Sequence, residues 1–406
     1  MKICAYVPDQ YVKQNYKKES YNTRKNAGMQ VVIDILRRAG HEVDFASSTS
    51  VNRYDYVLVS LTADCDWWGF IRERVKWPAG DYKVIAGGAG VLNVRPFLPY
   101  ADYFVLGRAE GVIDRLVDGS YDGDSVIESK TFSVEGEYVI NQADNPYPYS
   151  IKLEDGSGYM EDQIGCNHRC LFCGYTWHRK RSGADQFQYG GLWSKNADVE
   201  RAMIDLFNGM DVDLNRLRTT SIDGMSYRLR KAVHKDITRE MVQWFIREST
   251  ICEKPHQIKY YNIIGYPGET EDDWYELLDD IVTVDSKLPK LDKQSAGILL
   301  HSTPFRAMPA TPLACKPMSY KNYRKAVANI LGKGLKGNIF YQGNSMYAVE
   351  SMGTESLPTV IQSAICHRGT EDDIDNVRKL ACSDKFLRAD SKTKQITLER
   401  YFDVDT

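Results

Sequence analysis

The chain reads as an α/β protein with a doubly wound N-terminal domain, a second α/β domain and a small, mostly helical tail. Three observations predict this. Short apolar runs alternate with amphipathic segments through residues 1–120, several of those runs end in glycine, and the alternation resumes after a proline-bearing stretch at 121–155. Strands separated by helices imply a parallel sheet. Ligands of such sheets bind beyond the carboxyl ends of the strands.

Lys2–Val7 is the first apolar run. Asn26–Ala39 places Met29, Val32, Ile33 and Leu36 at helical spacing and closes on Gly40. Glu42–Ala46, Tyr56–Leu61, Lys83–Ala86 and Tyr103–Leu106 read as buried parallel strands. The last three run into Thr62-Ala63-Asp64, Gly87-Gly88-Ala89-Gly90 and Gly107-Arg108-Ala109-Glu110-Gly111, respectively. Glycine at a strand end permits positive φ or the close approach of a ligand, and ordinary turns use it as well. Residues 121–155 read as a linker with a hairpin, Ser125–Val134 against Glu137–Gln142. In 156–315, helices are expected at Ala197–Phe207, Ser226–Ala232, Thr238–Glu248 and Thr270–Val282, and strands at Leu214–Ile222, Gln257–Ile264 and Gln294–His301, the last of them. Residues 316–406 read as a helical cap, with helices at Tyr320–Leu331 and Asp372–Leu380.

At 406 residues the chain has room for two or three domains with real cores. Its 43% hydrophobic and 26% charged residues are those of an ordinary globular protein. A formal net charge of −3 gives no field that favours nucleic acid. No apolar run reaches the roughly 18 residues of a membrane span. Met1-Lys2-Ile3-Cys4-Ala5 leads straight into a strand without a signal peptide, and nine cysteines fit a reducing compartment better than a disulfide framework. The expectation is a cytoplasmic protein.

The chemistry concentrates in Gly165-Cys-Asn-His-Arg-Cys-Leu-Phe-Cys-Gly174. Cys166, Cys170 and Cys173 are spaced C-x3-C-x2-C. Three thiolates can hold three irons of a 4Fe–4S cluster and leave the fourth open. The competing readings are unrelated core cysteines or structural zinc, which takes four ligands. His168 and His178 are near, but His168 lies inside the cysteine loop, a poor position for a separate tetrahedral corner. Cys4, Cys65, Cys252, Cys315, Cys366 and Cys382 lack motif spacing and read as buried thiols. Cys315, Cys366 and Cys382 are the candidates for an auxiliary cluster.

This spacing resembles the defining signature of the radical S-adenosylmethionine (radical SAM) superfamily. The resemblance implies that Cys166, Cys170 and Cys173 ligate the cluster, and that Phe172 packs near the adenine of SAM. It also implies reductive cleavage of SAM to a 5′-deoxyadenosyl radical, which takes hydrogen from an unactivated carbon. Tyr261-Asn-Ile-Ile-Gly-Tyr-Pro-Gly-Glu269 resembles the family's fifth-strand motif, with Ile263 as the adenine contact; the same residues read plainly as strand, turn and helix start. His301-Ser-Thr-Pro-Phe305 with Met308–Leu313 resembles the segment after the sixth strand, which puts His301 and Arg306 at the mouth of the barrel as candidate catalytic groups. The implied fold of 156–315 is a partial (β/α)6 barrel, with fewer strands legible than six. The family's amino-binding "GGE" is not evident. Ser221, Asp223 and Ser226 can take that role, and Arg228 can pair with the SAM carboxylate, or these residues are a helix cap and surface charge.

The N-terminal run "VIAGGAG" followed by "ADYFVLGRAEG" resembles the Rossmann-like cobalamin-binding-type domain that precedes many radical SAM cores. On that resemblance Thr62, Gly87, Gly88, Gly107 and Glu110 line a corrinoid. The D-x-H-x-x-G that supplies a cobalt ligand is absent, and Arg108 stands where the first acidic residue of "GEGE" is usual. Trp67 and Trp68 can cap cobalt's lower face, or they fill the pocket and leave a vestigial domain. The implied functions are cobalamin-dependent methyl transfer, a cobalamin-independent rearrangement or cleavage, or, from another class, a non-catalytic iron–sulfur or zinc protein. The substrate is open among small molecule, peptide and nucleotide. Trp177-His-Arg-Lys-Arg181 can meet an anionic substrate or a flavodoxin- or ferredoxin-like electron donor, or is a solvated loop.

Overall fold

The computed structural model of the chain describes residues 1–7, 26–45, 49–61, 66–133, 135–145, 147–152, 158–161, 163–164, 169–177, 182–183, 219–235, 237–251, 256–290, 296–305, 308, 311–313, 323–335, 337–345, 369–383 and 385–386. The helix expected at 197–207 lies outside them.

Six strands form the first sheet: β1 (Lys2–Tyr6), β2 (Glu42–Phe45), β3 (Tyr56–Ser60), β4 (Lys83–Gly87), β5 (Tyr103–Val105) and β6 (Val126–Glu128), in the order β2-β1-β3-β4-β5-β6. The first five pair in parallel and β6 runs antiparallel to β5. Strand alternation sends Cys4, Tyr6, Val57, Val59, Val84 and Phe104 into one core, and Ile3, Ala5, Leu58, Ile85 and Val105 into another. The sheet is therefore buried on both faces, which is why its strands read as near-continuous apolar runs. Helices α1 (Ala27–Arg38) and α3 (Ile113–Val117) cover one face, and α2 (Asp66–Arg74) covers the other. Asn26 caps α1 by accepting from the Met29 N–H at 2.8 Å, and Gly40 leaves the helix at φ 87°.

The expected hairpin is replaced by pairing to the edge of this sheet. β6 joins β5, the Leu106 N–H donates to Ser125 O at 2.9 Å, and the Asn141 N–H donates to Leu106 O at 2.8 Å. An uncovered strand edge is a row of unpaired backbone groups, and both segments are drawn to it.

Short ladders flank the cysteine loop: β7 (Ile151–Lys152) with β8 (Gly158–Tyr159), and β9 (Gln163–Ile164) with β10 (Ser182–Gly183). The single turn α4 (Gly174–Trp177) follows Cys173. The second sheet is fully parallel and in chain order: β11 (Thr219–Ser221), β12 (His256–Ile264), β13 (Ala296–Pro304) and β14 (Ile339–Ser345). Helices α5 (Tyr227–Ala232), α6 (Arg239–Ile251), α7 (Glu271–Lys287) and α8 (Tyr323–Gly334) fill the crossovers. Ile258, Tyr260, Ile298 and Leu300 bury against Phe245, Trp274, Ile281 and Val327. Among the described residues this sheet holds four strands of the six that the resemblance implies.

Two expectations for the tail change. β13 is not the last strand, because α8 and β14 continue the second sheet where a helical cap was expected. The last helix among the described residues, α9 (Glu371–Ala381), buries Ile374, Val377, Leu380 and Ala381 in the core of the first sheet beside α2. Arg378 fastens it there, donating to Arg95 O at 2.7 Å and Pro96 O at 3.1 Å. No helix among the described residues is long and apolar enough to cross a membrane.

Candidate active site

The cysteine loop is held from below by the turn that ends α5. The Leu171 N–H donates to Val233 O at 3.0 Å, and Cys170 Sγ lies 3.9 Å from His234 O. From the other side, Trp177 Nε1 on α4 donates to Cys170 O at 2.9 Å, and the Arg169 guanidinium lies over the Trp177 ring. Cys170 is buried, Cys173 is half-buried, and neither forms a disulfide. Cys166 lies outside the described residues, so no set of three metal-type ligands occurs among them. Two soft thiolate donors three residues apart on a tight turn suit an iron–sulfur cluster, and equally half of a zinc site.

The two adenine candidates pack against the same apolar cluster. Phe172 from the cysteine loop and Ile263 near the end of β12 share one apolar cluster with Leu229, Val233, Tyr266 and Phe305. Ring centroids of Phe172 and Tyr266 lie 5.9 Å apart, and those of Tyr266 and Phe305 5.4 Å. Phe172 and Ile263 are only partly buried, while Tyr266 and Phe305 floor the cluster. Burial, with Asp223 nearby, raises the Tyr266 phenol pKa well above its ordinary value, so it stays protonated and donates to Asp223 O at 2.8 Å.

The turn after β12 is built on Glu269, a residue that motif reading did not single out. Gly265 and Gly268 take φ 85° and 77°. Glu269 Oε2 accepts from the N–H groups of Gly265 at 2.6 Å and Tyr266 at 3.0 Å, and Oε1 accepts from Trp274 Nε1 at 2.6 Å. Burial pushes the Glu269 carboxyl up to about 7 even against those three donors. The only sequence signal was an acidic residue between the Pro267-Gly268 turn and the Thr270 helix cap.

The residues assigned to SAM's amino acid end are already engaged within the chain. Ser226 caps α5, accepting from the Leu229 N–H and donating to Asp273 Oδ1 at 2.5 Å. Arg228 grips Asp273 through Nε at 3.1 Å and Nη2 at 2.6 Å, with Gly268 O as a further acceptor. Burial alone would raise the Asp273 pKa; hydrogen bonds from Arg228, Ser226 and the Thr270 N–H outweigh it and hold the pKa below the usual carboxylate value. Within the chain Ser226 thus acts as a cap and Arg228 as a clamp on Asp273. Ser221 donates to Asp223 Oδ1 at 2.8 Å, and Asp223 sits at φ 47° beside the cysteine loop's supporting turn.

His301 is also relocated. β13 runs three residues past it, which sets His301 about 10 Å below the strand's end. Its ring stacks on Tyr261, its registered neighbour on β12, at 4.9 Å. Burial, with the charge of Lys259, lowers its pKa, so it is neutral at pH 7, and Nε2 has no hydrogen-bond partner among the described residues. Arg306 lies outside the described residues.

At the first sheet the glycines serve the chain itself. A Cβ on Gly88 would meet Leu61 O at 2.4 Å, and one on Gly107 would meet Asn141 O at 2.3 Å. Gly87 is in ordinary contact only. Arg108 is nearly buried between Glu110, which takes Nε at 3.1 Å, and Glu161, which takes Nη1 at 2.6 Å. Glu110 is thus paired with Arg108, and Gly88 and Gly107 sit at close backbone approaches. Thr62 and the side chains of Trp67 and Trp68 lie outside the described residues; both tryptophans sit in the first turn of α2.

No protein-family profile and no curated protein matches the chain. Among solved structures it is similar to the cobalamin-dependent S-adenosylmethionine radical enzyme OxsB in its apo, selenomethionine-labelled form, at TM-score 0.28 and 10% identity, over 100% of this chain and 61% of that one. Against the same enzyme with aqua-cobalamin and S-adenosylmethionine bound, the TM-score is 0.26 at 9% identity, over 100% and 62%. The chain thus spans about three-fifths of that enzyme's length, and superposition at this level transfers no residue role.

Proposed function

We propose that this chain is a radical SAM enzyme that acts on an unactivated carbon. One observation carries the reading: Phe172 of the cysteine loop and Ile263 of β12, far apart in sequence, share one partly open apolar cluster beside Cys170 and Cys173. An apolar floor next to a pair of thiolates is what a purine needs beside an iron–sulfur cluster. Cys166, Cys170 and Cys173 would hold a 4Fe–4S cluster, and the chemistry that such a cluster supplies when bound is one-electron reduction of SAM. Phe172 and Ile263 would sandwich the adenine. Tyr266 and Phe305 would back them and exclude water from the reactive carbon. Neutral His301, on the face of β13 opposite the buried Ile298 and Leu300 and with Nε2 lacking a partner among the described residues, would bind or orient the substrate.

For the first domain, the engagement of Gly88, Gly107 and Glu110 within the chain favours a cobalamin-independent rearrangement or cleavage. Methyl transfer through cobalamin is the second reading, carried by the doubly wound parallel sheet itself. The test is anaerobic reconstitution with iron and sulfide, then dithionite and SAM, with 5′-deoxyadenosine assayed with and without hydroxocobalamin. Wild type should form it, and Cys170→Ala should not. Indifference to hydroxocobalamin, with no corrinoid retained, supports the first reading. Stoichiometric corrinoid supports the second. Tight zinc with no SAM cleavage would overturn both in favour of a binding protein.

A further inference from the structure

Among the described residues two non-glycine positions adopt left-handed backbone: Asp223 at φ 47° and His234 at φ 60°. Such conformations are retained where surrounding contacts over-determine them, and they cluster at functional sites. These two flank α5, one before it and one after. An ion pair spans them one residue past His234: Lys235 Nζ lies 2.9 Å from Asp223 Oδ2, with Lys235 only 5% exposed. The pair is braced on both sides. Ser221 donates to the other Asp223 oxygen, Tyr266 donates to Asp223 O, and the Lys235 N–H donates to Arg230 O at 2.8 Å.

What this brace supports is the cysteine loop. Val233 O, His234 O and Lys235 are consecutive; the first accepts from Leu171 and the second lies against Cys170 Sγ. With Lys235 drawn to Asp223, the 233–235 turn takes its left-handed form and presents both carbonyls to the loop. The same Asp223 anchors Tyr266 under Phe172. We propose that the Lys235–Asp223 pair is a positioning device that seats Cys170 for cluster binding and couples that seat to the apolar floor beneath Phe172. The proposal rests on the radical SAM reading for the cluster, but its geometric content concerns the thiol alone.

The experiment follows Cys170 in the apo protein, by the rate of iodoacetamide alkylation resolved by peptide mass spectrometry. Removing one partner of a buried pair leaves the other uncompensated and opens the local structure. Lys235→Met should alkylate at Cys170 at least about tenfold faster than wild type, and Lys235→Arg should stay near the wild-type rate. Asp223→Asn, which keeps shape and removes charge, should also speed alkylation; it decides the matter if Lys235→Met does not fold. Combining the two substitutions should add little to either alone. A wild-type alkylation rate in both single variants would overturn the proposal. Iron per chain after reconstitution is measured in parallel. Wild type that takes up no iron while the alkylation rates respond as expected would sink the radical SAM reading and leave the clamp standing. Wild type that takes up iron while the variants match it in both readouts would do the reverse.

Discussion

Replacing Arg108 with Met tests the junction between the first sheet and the segment that enters the cysteine loop. Arg108 follows Gly107 at the exit of β5, and its guanidinium binds Glu110 and Glu161. Glu161 in turn accepts from the Tyr147 N–H at 2.8 Å, and it precedes β9, which leads to Cys166. Burial alone would lower the Arg108 pKa; the hydrogen bonds and charges of Glu161 and Glu110 reverse this and raise it. Methionine preserves much of the volume but leaves two carboxylates facing each other, with side-chain exposures of 22% for Glu110 and 9% for Glu161. Breaking a buried pair costs about 3–5 kcal/mol. The partial exposure of Glu110 points to the lower end, about 3 kcal/mol. At an unfolding entropy of ~2.1 cal/mol/K per residue, a cooperative unit of 406 residues would lose about 3–4 °C in Tm. The assay is urea denaturation with a double-mutant cycle, Arg108→Met against Glu161→Gln. The double variant should regain part of the loss, because one of the facing charges is gone. The effect should change little with salt, since the pair is shielded from solvent ions. Arg108→Met within about 0.5 kcal/mol of wild type would refute the junction.

Other outcomes follow from the same geometry. The folded Glu269 pKa of about 7 lies above the ordinary 4.5, so its stabilising contribution is fully present below pH 4.5 and is lost as pH rises through 7. That difference is worth about 3 kcal/mol, and Glu269→Gln should flatten the urea stability profile across this window; an unchanged slope contradicts it. Trp274→Phe leaves Glu269 Oε1 without its buried donor and should cost about 1–3 kcal/mol by the same denaturation. Gly107→Ala must move its Cβ off Asn141 O at φ 88°, and should destabilise by more than about 1 kcal/mol, whereas Gly111→Ala, with nothing within 4 Å of its Cβ, should pay only for its positive φ. Equal losses at the two glycines would contradict the close backbone approach at Gly107.

The parallel core was legible because burial on both faces forces continuous apolar runs, as in Tyr56–Ser60 and Lys83–Gly87. β14 was not, because Ile339-Phe340-Tyr341 gives way to Gln342-Gly343-Asn344-Ser345, whose polarity reads as a turn although the backbone pairs with β13. The apolar stripe of α9 was readable, but a stripe does not say which core receives it; the Arg378 bonds to Arg95 and Pro96 decide that in space. At the site, Phe172 and Ile263 came from motif spacing, and each packs against the same apolar cluster. Glu269 and Lys235 were missed because their partners are backbone N–H groups or residues brought near by folding. That Arg228 and Ser226 share Asp273 as a partner was not legible, because Asp273 lies nearly fifty residues on. Arg108 looked like a departure from a glycine-and-acid pattern; Glu161 explains it as one half of an interlocking contact.

In the proposed reading, Cys166, Cys170 and Cys173 would hold a 4Fe–4S cluster that reduces SAM beside the apolar cluster on which Phe172 and Ile263 pack. The electron paramagnetic resonance spectrum of the reconstituted, dithionite-reduced protein, recorded before and after addition of SAM, tests it most directly. The account predicts a reduced 4Fe–4S signal that changes shape on SAM addition and is lost in Cys170→Ala. A signal indifferent to SAM, or stoichiometric zinc with no such signal, would contradict it.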